Sequence, residues 1–158
     1  MPRLSGQMAA MMYQAGRQKL NEDKLLVPVP LHSFRLWRRS FNQSALLARE
    51  LGKLSGLDFS MDALVRKQST RHQVGLSRRE RIENVQGAFE VSPDAQFTLA
   101  GRSIVLIDDV LTTGATLDAC NLALKAAGAK RVDTLVFAAV EPDEVAEERN
   151  EWAVRITT

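Results

Sequence analysis

The chain has 158 residues, with 21 lysines and arginines against 19 aspartates and glutamates, a formal charge of +2 and an apolar fraction of 45%. These are the proportions of an ordinary globular protein; no apolar run approaches the roughly 20 residues that cross a bilayer, and the first residues lack the pattern of a secretory signal. Cys120 is the only cysteine, which excludes an internal disulfide or a cysteine-based zinc site and points to a reducing cytoplasm. The length suits one domain over residues 1–158, with residues 141–158 as an acidic C-terminal extension carrying Glu141, Asp143, Glu144, Glu147 and Glu148.

In chain order, Met8 to Leu20 reads as a helix and Leu25 to Val29 as a short apolar strand stopped by Pro28 and Pro30. Leu31 to Phe41 is a loop carrying His32, Arg35, Arg38 and Arg39. Apolar residues at helical spacing (Ala45, Leu46, Ala48, Leu51) predict a helix from Asn42 to Lys53, ending at Gly52 or Gly56. Ala63 to Arg66 reads as a strand. Gln68 to Gly87 is polar and basic, with a short helix suggested over Arg78 to Asn84, and segments of this length inside compact domains tend to be functional lids or disordered. Ala88 to Val91 suits one arm of an antiparallel hairpin, and Ser92-Pro93-Asp94 and Gly101 mark turns. A strand through Val105 to Ile107, a helix from Ala115 to Ala127 capped by Gly128 and a strand from Arg131 to Ala139 complete the pattern. Alternating strands and helices predict a parallel α/β sheet. Cys120 falls in an apolar helical pattern and reads as a small core residue.

The most informative stretch is Val105 to Leu117, VLIDDVLTTGATL. Val105, Leu106 and Ile107 have no polar face, as in a central strand covered on both sides. Such sheets place ligands beyond the carboxyl ends of their strands, where Asp108 and Asp109 offer adjacent acceptors for sugar hydroxyls. The turn Thr112-Thr113-Gly114-Ala115-Thr116 then offers backbone N–H groups, hydroxyls and a helix N-terminus, which suit a phosphate. Acceptors for a ribose beside donors for a phosphate describe a ribose 5-phosphate site. A receiver domain also has a strand ending in Asp-Asp, but it begins its fold with that strand. A Walker loop would need a Gly-Lys-Thr/Ser sequence, which is absent here.

This motif resembles the signature of type I phosphoribosyltransferases, which bind phosphoribosyl pyrophosphate (PRPP). Further stretches resemble, more narrowly, the competence protein F (ComF) family: Val27 to His32 with Arg35 and Phe41-Asn42-Gln43; Gln73 to Arg78 with Arg81, Asn84, Val85, Gly87, Ala88 and Phe89; and Asp108 to Thr116. The resemblance implies an α/β, type I phosphoribosyltransferase-like fold, with a central, mainly parallel sheet flanked by helices and a flexible hood loop. By resemblance, Asp108 and Asp109 are the catalytic pair: they hold the ribose, one of them stands near the nucleophile as base or ion-pair stabiliser, and they meet Mg²⁺ indirectly, through PRPP and water. Val110, Leu111, Thr112, Thr113, Gly114, Ala115 and Thr116 wrap the 5′-phosphate. Leu31, His32 and Arg35 occupy the position of the pyrophosphate loop, although a solvated surface loop is the plain alternative there. Arg71, Arg78 or Arg79, from the hood, would neutralise departing pyrophosphate, the choice among them remaining open. Two departures stand out. The four-cysteine zinc module with which ComF-like proteins commonly begin is absent from this sequence, which fits a short form, a truncated chain or a misplaced start alike; Ser40 stands where relatives usually carry glycine.

Two functions follow. One is phosphoribosyl transfer with Mg²⁺, linked to nucleotide metabolism or DNA uptake, from a protein that, like many type I relatives, could be a homodimer. The other is non-catalytic binding, of a ligand at the same site or of single-stranded DNA on the basic loops, where Phe34, Trp37 and Phe41 interleave Arg35, Arg38 and Arg39.

Overall fold

The structure, a computed structural model, describes residues 2–21, 23–31, 41–67, 77, 79–80, 85, 87–111, 114–139 and 155–157. The helices are α1 (Pro2–Gly16), α2 (Gln43–Ser55), α3 (Gln96–Leu99) and α4 (Ala115–Ala126), with a 3₁₀ turn over Pro93–Ala95. The strands are β1 (Lys24–Pro28), β2 (Asp58–Phe59), β3 (Leu64–Arg66), β4 (Phe89–Val91), β5 (Ser103–Leu111), β6 (Arg131–Ala139) and β7 (Arg155–Thr157). Five of them form one sheet in the order β2–β1–β5–β6–β7, parallel except for β7, while β3 and β4 pair separately as an antiparallel hairpin. The expected α/β architecture is therefore present. None of the described helices is long and apolar enough to cross a membrane.

Side chains of β5 alternate between two apolar layers, as strand geometry requires. Ile104 and Leu106 enter a cluster with Leu25 and Val27 of β1, Leu117, Cys120 and Leu124 of α4, and the hairpin residues Leu64 and Phe89. Val105 and Ile107 enter the opposite cluster with Leu26 of β1, Met12 of α1 and Leu47 and Leu51 of α2. All four β5 residues are fully buried. Each such aliphatic side chain contributes about 1.5–3 kcal/mol when removed from water.

Several elements differ from their sequence pattern. The first helix spans Pro2–Gly16, starting and ending before the predicted Met8 to Leu20; proline is tolerated in a first turn, where its missing N–H is not needed. The strand of the acidic motif continues through both aspartates to Leu111, because Val110 and Leu111 still pair with Ala138 and Ala139 of β6. The short edge strand β2, helix α3 and strand β7 have no marked pattern. By contrast, α2 begins after Asn42 and ends at Gly56, which adopts φ +74°, and β6 spans Arg131–Ala139 as predicted.

At the amino ends of the parallel strands, one buried carboxylate gathers three cations. Asp133, its side chain 1% exposed, lies 3.0 Å from Lys24, 3.0 Å from Arg131 and 3.9 Å from Lys19. Burial alone would raise its pKa. The hydrogen bond and charge of Lys24, then those of Arg131, outweigh that effect and hold it below its ordinary value of 3.8. Its contribution to stability is therefore full above pH 3.8 and is lost as pH falls through the native pKa. Removing one member of a buried ion cluster strands the others, although here Arg131 and Lys19 keep access to water. Asp133→Asn should cost about 2–3 kcal/mol in urea unfolding at neutral pH, and the difference from wild type should shrink in acid. Equal stability of the two proteins at neutral pH would contradict this.

Candidate functional site

Three chain segments converge at the carboxyl end of β5. Beyond β1, Val29 donates its N–H to the carbonyl of Ile107 at 2.9 Å, carrying the pairing to the residue before the acidic pair. Helix α2 starts beside it. Asn42 is its N-cap: the side-chain Oδ1 accepts from the Ala45 N–H at 3.3 Å, while Nδ2 donates to the Val29 carbonyl at 3.2 Å. One asparagine thus satisfies a helix-start amide and ties the helix to the end of β1. In the first turn of α2, the buried Ser44 hydroxyl donates to Asp108 Oδ1 at 2.9 Å. The N–H of Asp109 donates to the same oxygen at 2.9 Å.

Those two donors do not compensate Asp108. Burial, first, and the neighbouring charge of Asp109, second, raise its pKa from 3.8 to about 7, against the lowering effect of the Ser44 and Asp109 hydrogen bonds. No described cation neutralises it, in contrast to Asp133. Beyond the pair, Val110 is exposed and Leu111 partly buried. Gly114 holds the left-handed conformation, φ +82°, and is the N-cap of α4, with no side-chain hydrogen bond capping the helix. That backbone geometry is available to glycine at little cost. Ala115 and Thr116 form the first turn, so their amides and the positive end of the helix dipole lie just after the two carboxylates.

The other candidates divide. Leu31 is partly buried just past β1. His32, Arg35, Arg71, Arg78, Thr112 and Thr113 lie outside the described residues, as do Phe34 and Trp37. The base of the predicted hood is described, however. Arg66 pairs with Phe89 in the β3–β4 register and its guanidinium sits 5.2 Å from the Phe89 ring centre. The Lys67 N–H donates to the Ala88 carbonyl at 2.7 Å, and the Lys67 side chain meets Glu90 at 3.1 Å. Within the segment, Ser77 and Glu80 form a reciprocal capping box: the Glu80 N–H donates to Ser77 Oγ at 3.3 Å and the Ser77 N–H to Glu80 Oε2 at 2.8 Å. Cys120 is buried, and burial, reinforced by the charge of Asp108, pushes its thiol far upward, so it is an inert core residue.

Sequence reasoning missed Ser44 and the second bond of Asn42. An asparagine ahead of an apolar helical pattern signals an N-cap, but its contact with Val29 and the contact of Ser44 with Asp108 bridge residues 13 and 64 positions apart. No local pattern encodes those pairings.

The charge on Asp108 has a stability consequence. Between about pH 4 and about pH 7 the native carboxyl holds a proton that the unfolded chain has lost, so stability falls as pH rises through that window. Asp108→Asn removes the penalty. The variant should be more stable than wild type by roughly 2–4 kcal/mol at about pH 8, and nearly equal to it at about pH 4, in urea unfolding. Lower stability of the variant at the higher pH would overturn this account of the pair.

Comparison with known proteins agrees with the geometry. The family model of the phosphoribosyl transferase domain matches residues 38–158. Competence protein F of Haemophilus influenzae is 32% identical over 130 residues, covering 79% of this chain and 56% of that protein. The DNA utilization protein YhgH of Escherichia coli K12 is 40% identical over 92 residues, covering 58% of this chain and 39% of that protein. The chain thus spans about half or less of the length of these curated relatives. Among solved structures, the glutamine PRPP amidotransferase of B. subtilis, complexed with ADP and GMP, superposes with a TM-score of 0.58 at 18% identity, covering 85% of this chain and 26% of that one, which is a likeness of fold. With its parallel sheet, its acidic strand end and these matches together, the chain belongs to the phosphoribosyl transferase domain family, on its ComF-like, type I branch.

Proposed function

We propose that this domain binds PRPP with Mg²⁺ at the carboxyl end of β5 and transfers its phosphoribosyl group to an acceptor. The observation that carries the reading is the pair of adjacent carboxylates, Asp108 and Asp109, at the end of β5, with no cation beside Asp108 among the described residues, followed by the glycine-capped N-terminus of α4. The acids are acceptors for the two ribose hydroxyls. The segment from Val110 to Thr116 receives the 5′-phosphate, with Gly114 permitting the turn and the amides of Ala115 and Thr116 facing the anion. Leu31, His32 and Arg35 are assigned to the pyrophosphate, and Arg71 or Arg78, from the hood, to its neutralisation as it leaves.

The residues present suit Mg²⁺ bound largely through the ligand. Among the described residues no group of three or more His, Cys, Asp or Glu side chains could hold a metal. The adjacent carboxylates, one of them destabilised as an anion, are what a cation with several waters and ligand oxygens uses. When bound, the ion supplies charge neutralisation to the pyrophosphate. The chain's own part is to orient the ribose through Asp108 and Asp109, hold the phosphate at α4 and exclude water. The bond from the anomeric carbon to pyrophosphate breaks, and one to the acceptor nucleophile forms.

A second reading has support from the relatives' names, which refer to competence and DNA utilization, and from the basic loops of the sequence. It places single-stranded DNA on those loops, with an affinity that falls steeply with salt.

Calorimetric titration with PRPP, with and without Mg²⁺ and with ribose 5-phosphate as control, tests the first reading. Magnesium-dependent binding well above the control is expected. Asp108→Asn combined with Asp109→Asn should abolish it in a folded protein, because loss of a preorganised group typically costs about 3 kcal/mol or more. No PRPP binding by folded wild type, with salt-sensitive binding of single-stranded DNA instead, would replace this reading by the second.

A further inference from the structure

We infer that Ser44 is a positioning residue for Asp108 and couples the start of α2 to the ribose end of the site; this rests on the proposed PRPP reading. Ser44 is 4% exposed, so its hydroxyl has little access to water, and its bond to Asp108 Oδ1 at 2.9 Å satisfies it. The N–H of Asp109 approaches the same oxygen at 2.9 Å. Two donors on one carboxylate oxygen fix the rotation of the carboxylate about its Cβ–Cγ bond. One of them belongs to Asp108's own strand and cannot move independently of it. The other belongs to a helix, and it is the one the fold can adjust.

That helix is fastened to the opposite side of the site as well. Its N-cap, Asn42, bonds the Val29 carbonyl at 3.2 Å and the Ala45 N–H at 3.3 Å, while the Val29 N–H meets the Ile107 carbonyl at 2.9 Å. A closed circuit therefore runs from Asp108 to Ser44, back two residues along the start of α2 to Asn42, on to Val29, and back to Ile107 beside Asp108. The ring ties the residue after β1 and the start of α2 to the strand end that carries Asp108. A ligand whose ribose hydroxyls meet the acidic pair uses the orientation of Asp108, whereas inorganic pyrophosphate, which has no ribose, does not. Ser44 is thus the contact through which the start of α2 sets the orientation of Asp108.

The consequence is selective. Ser44→Ala removes the hydroxyl from a helical position that alanine suits, so the fold should persist. Loss of a hydrogen bond to a charged group should weaken PRPP binding about tenfold, with Mg²⁺ present, while inorganic pyrophosphate binds as to wild type. Ser44→Thr, which keeps a hydroxyl there, should retain the wild-type preference for PRPP over pyrophosphate. Calorimetry of the three proteins with both ligands decides the matter. Unchanged PRPP affinity in Ser44→Ala, or equal weakening of PRPP and pyrophosphate, would overturn the inference, the latter because it signals general loosening of α2. A folded Ser44→Thr protein as weak as Ser44→Ala would also overturn it. Absence of PRPP binding in wild type is a separate result, which removes the donor-site reading and this role together.

Discussion

Strand β5 is the constraint on which the rest of the molecule depends. It is hydrogen-bonded to β1 on one side and β6 on the other, and its four central residues are buried in alternation between the two apolar layers. A one-residue slip would exchange those layers, so its register is fixed by both at once. Whatever follows Ile107 is therefore delivered to a defined place at the carboxyl edge of the sheet, where open α/β sheets hold ligands. Asp108 and Asp109 inherit that placement, and the Ser44 hydroxyl then fixes the orientation of the Asp108 carboxylate.

Two carboxylates of the same sheet show how environment divides structural from chemical roles. Asp133 is held low by Lys24 and Arg131 despite its burial, and ties β1 and β6 together at the amino edge. Asp108 is held high at the carboxyl edge by burial and by Asp109, with two neutral donors and no cation beside it among the described residues. The first arrangement stabilises the fold. The second destabilises it, and such a cost is characteristic of a site arranged for a ligand. On the proposed reading, a donor that brings hydroxyl groups and an associated cation would supply the compensation that the described residues do not give Asp108.

Much of this was legible in the sequence, for reasons that can be named. The apolar run of β5 and the periodicities of α2 and α4 report burial directly, and Gly56 and Gly114 mark backbone turns that few other residues adopt. The acidic pair at the end of an apolar run marks a strand end where such sheets hold ligands, and the structure places Asp108 and Asp109 there. What stayed hidden depends on distant partners. Strand β2 is two residues long and pairs only because β1 offers it an edge; β7 is three residues long and pairs with β6 across the end of the sheet. Ser44 is an unremarkable helical serine until the fold brings Asp108 to it. The reach of β5 past the aspartates likewise depends on β6 continuing to Ala139 beside it.

The measurement that bears most directly on this account is the titration of the Asp108 carboxyl, followed by its ¹³C resonance in the free protein and with PRPP and Mg²⁺ added. The account predicts a midpoint near 7 in the free protein and a clear move to lower pH in the presence of the ligand, as the anion gains hydroxyl donors and a nearby cation. A carboxyl that titrates near 3.8 in the free protein and does not respond to the ligand would contradict it.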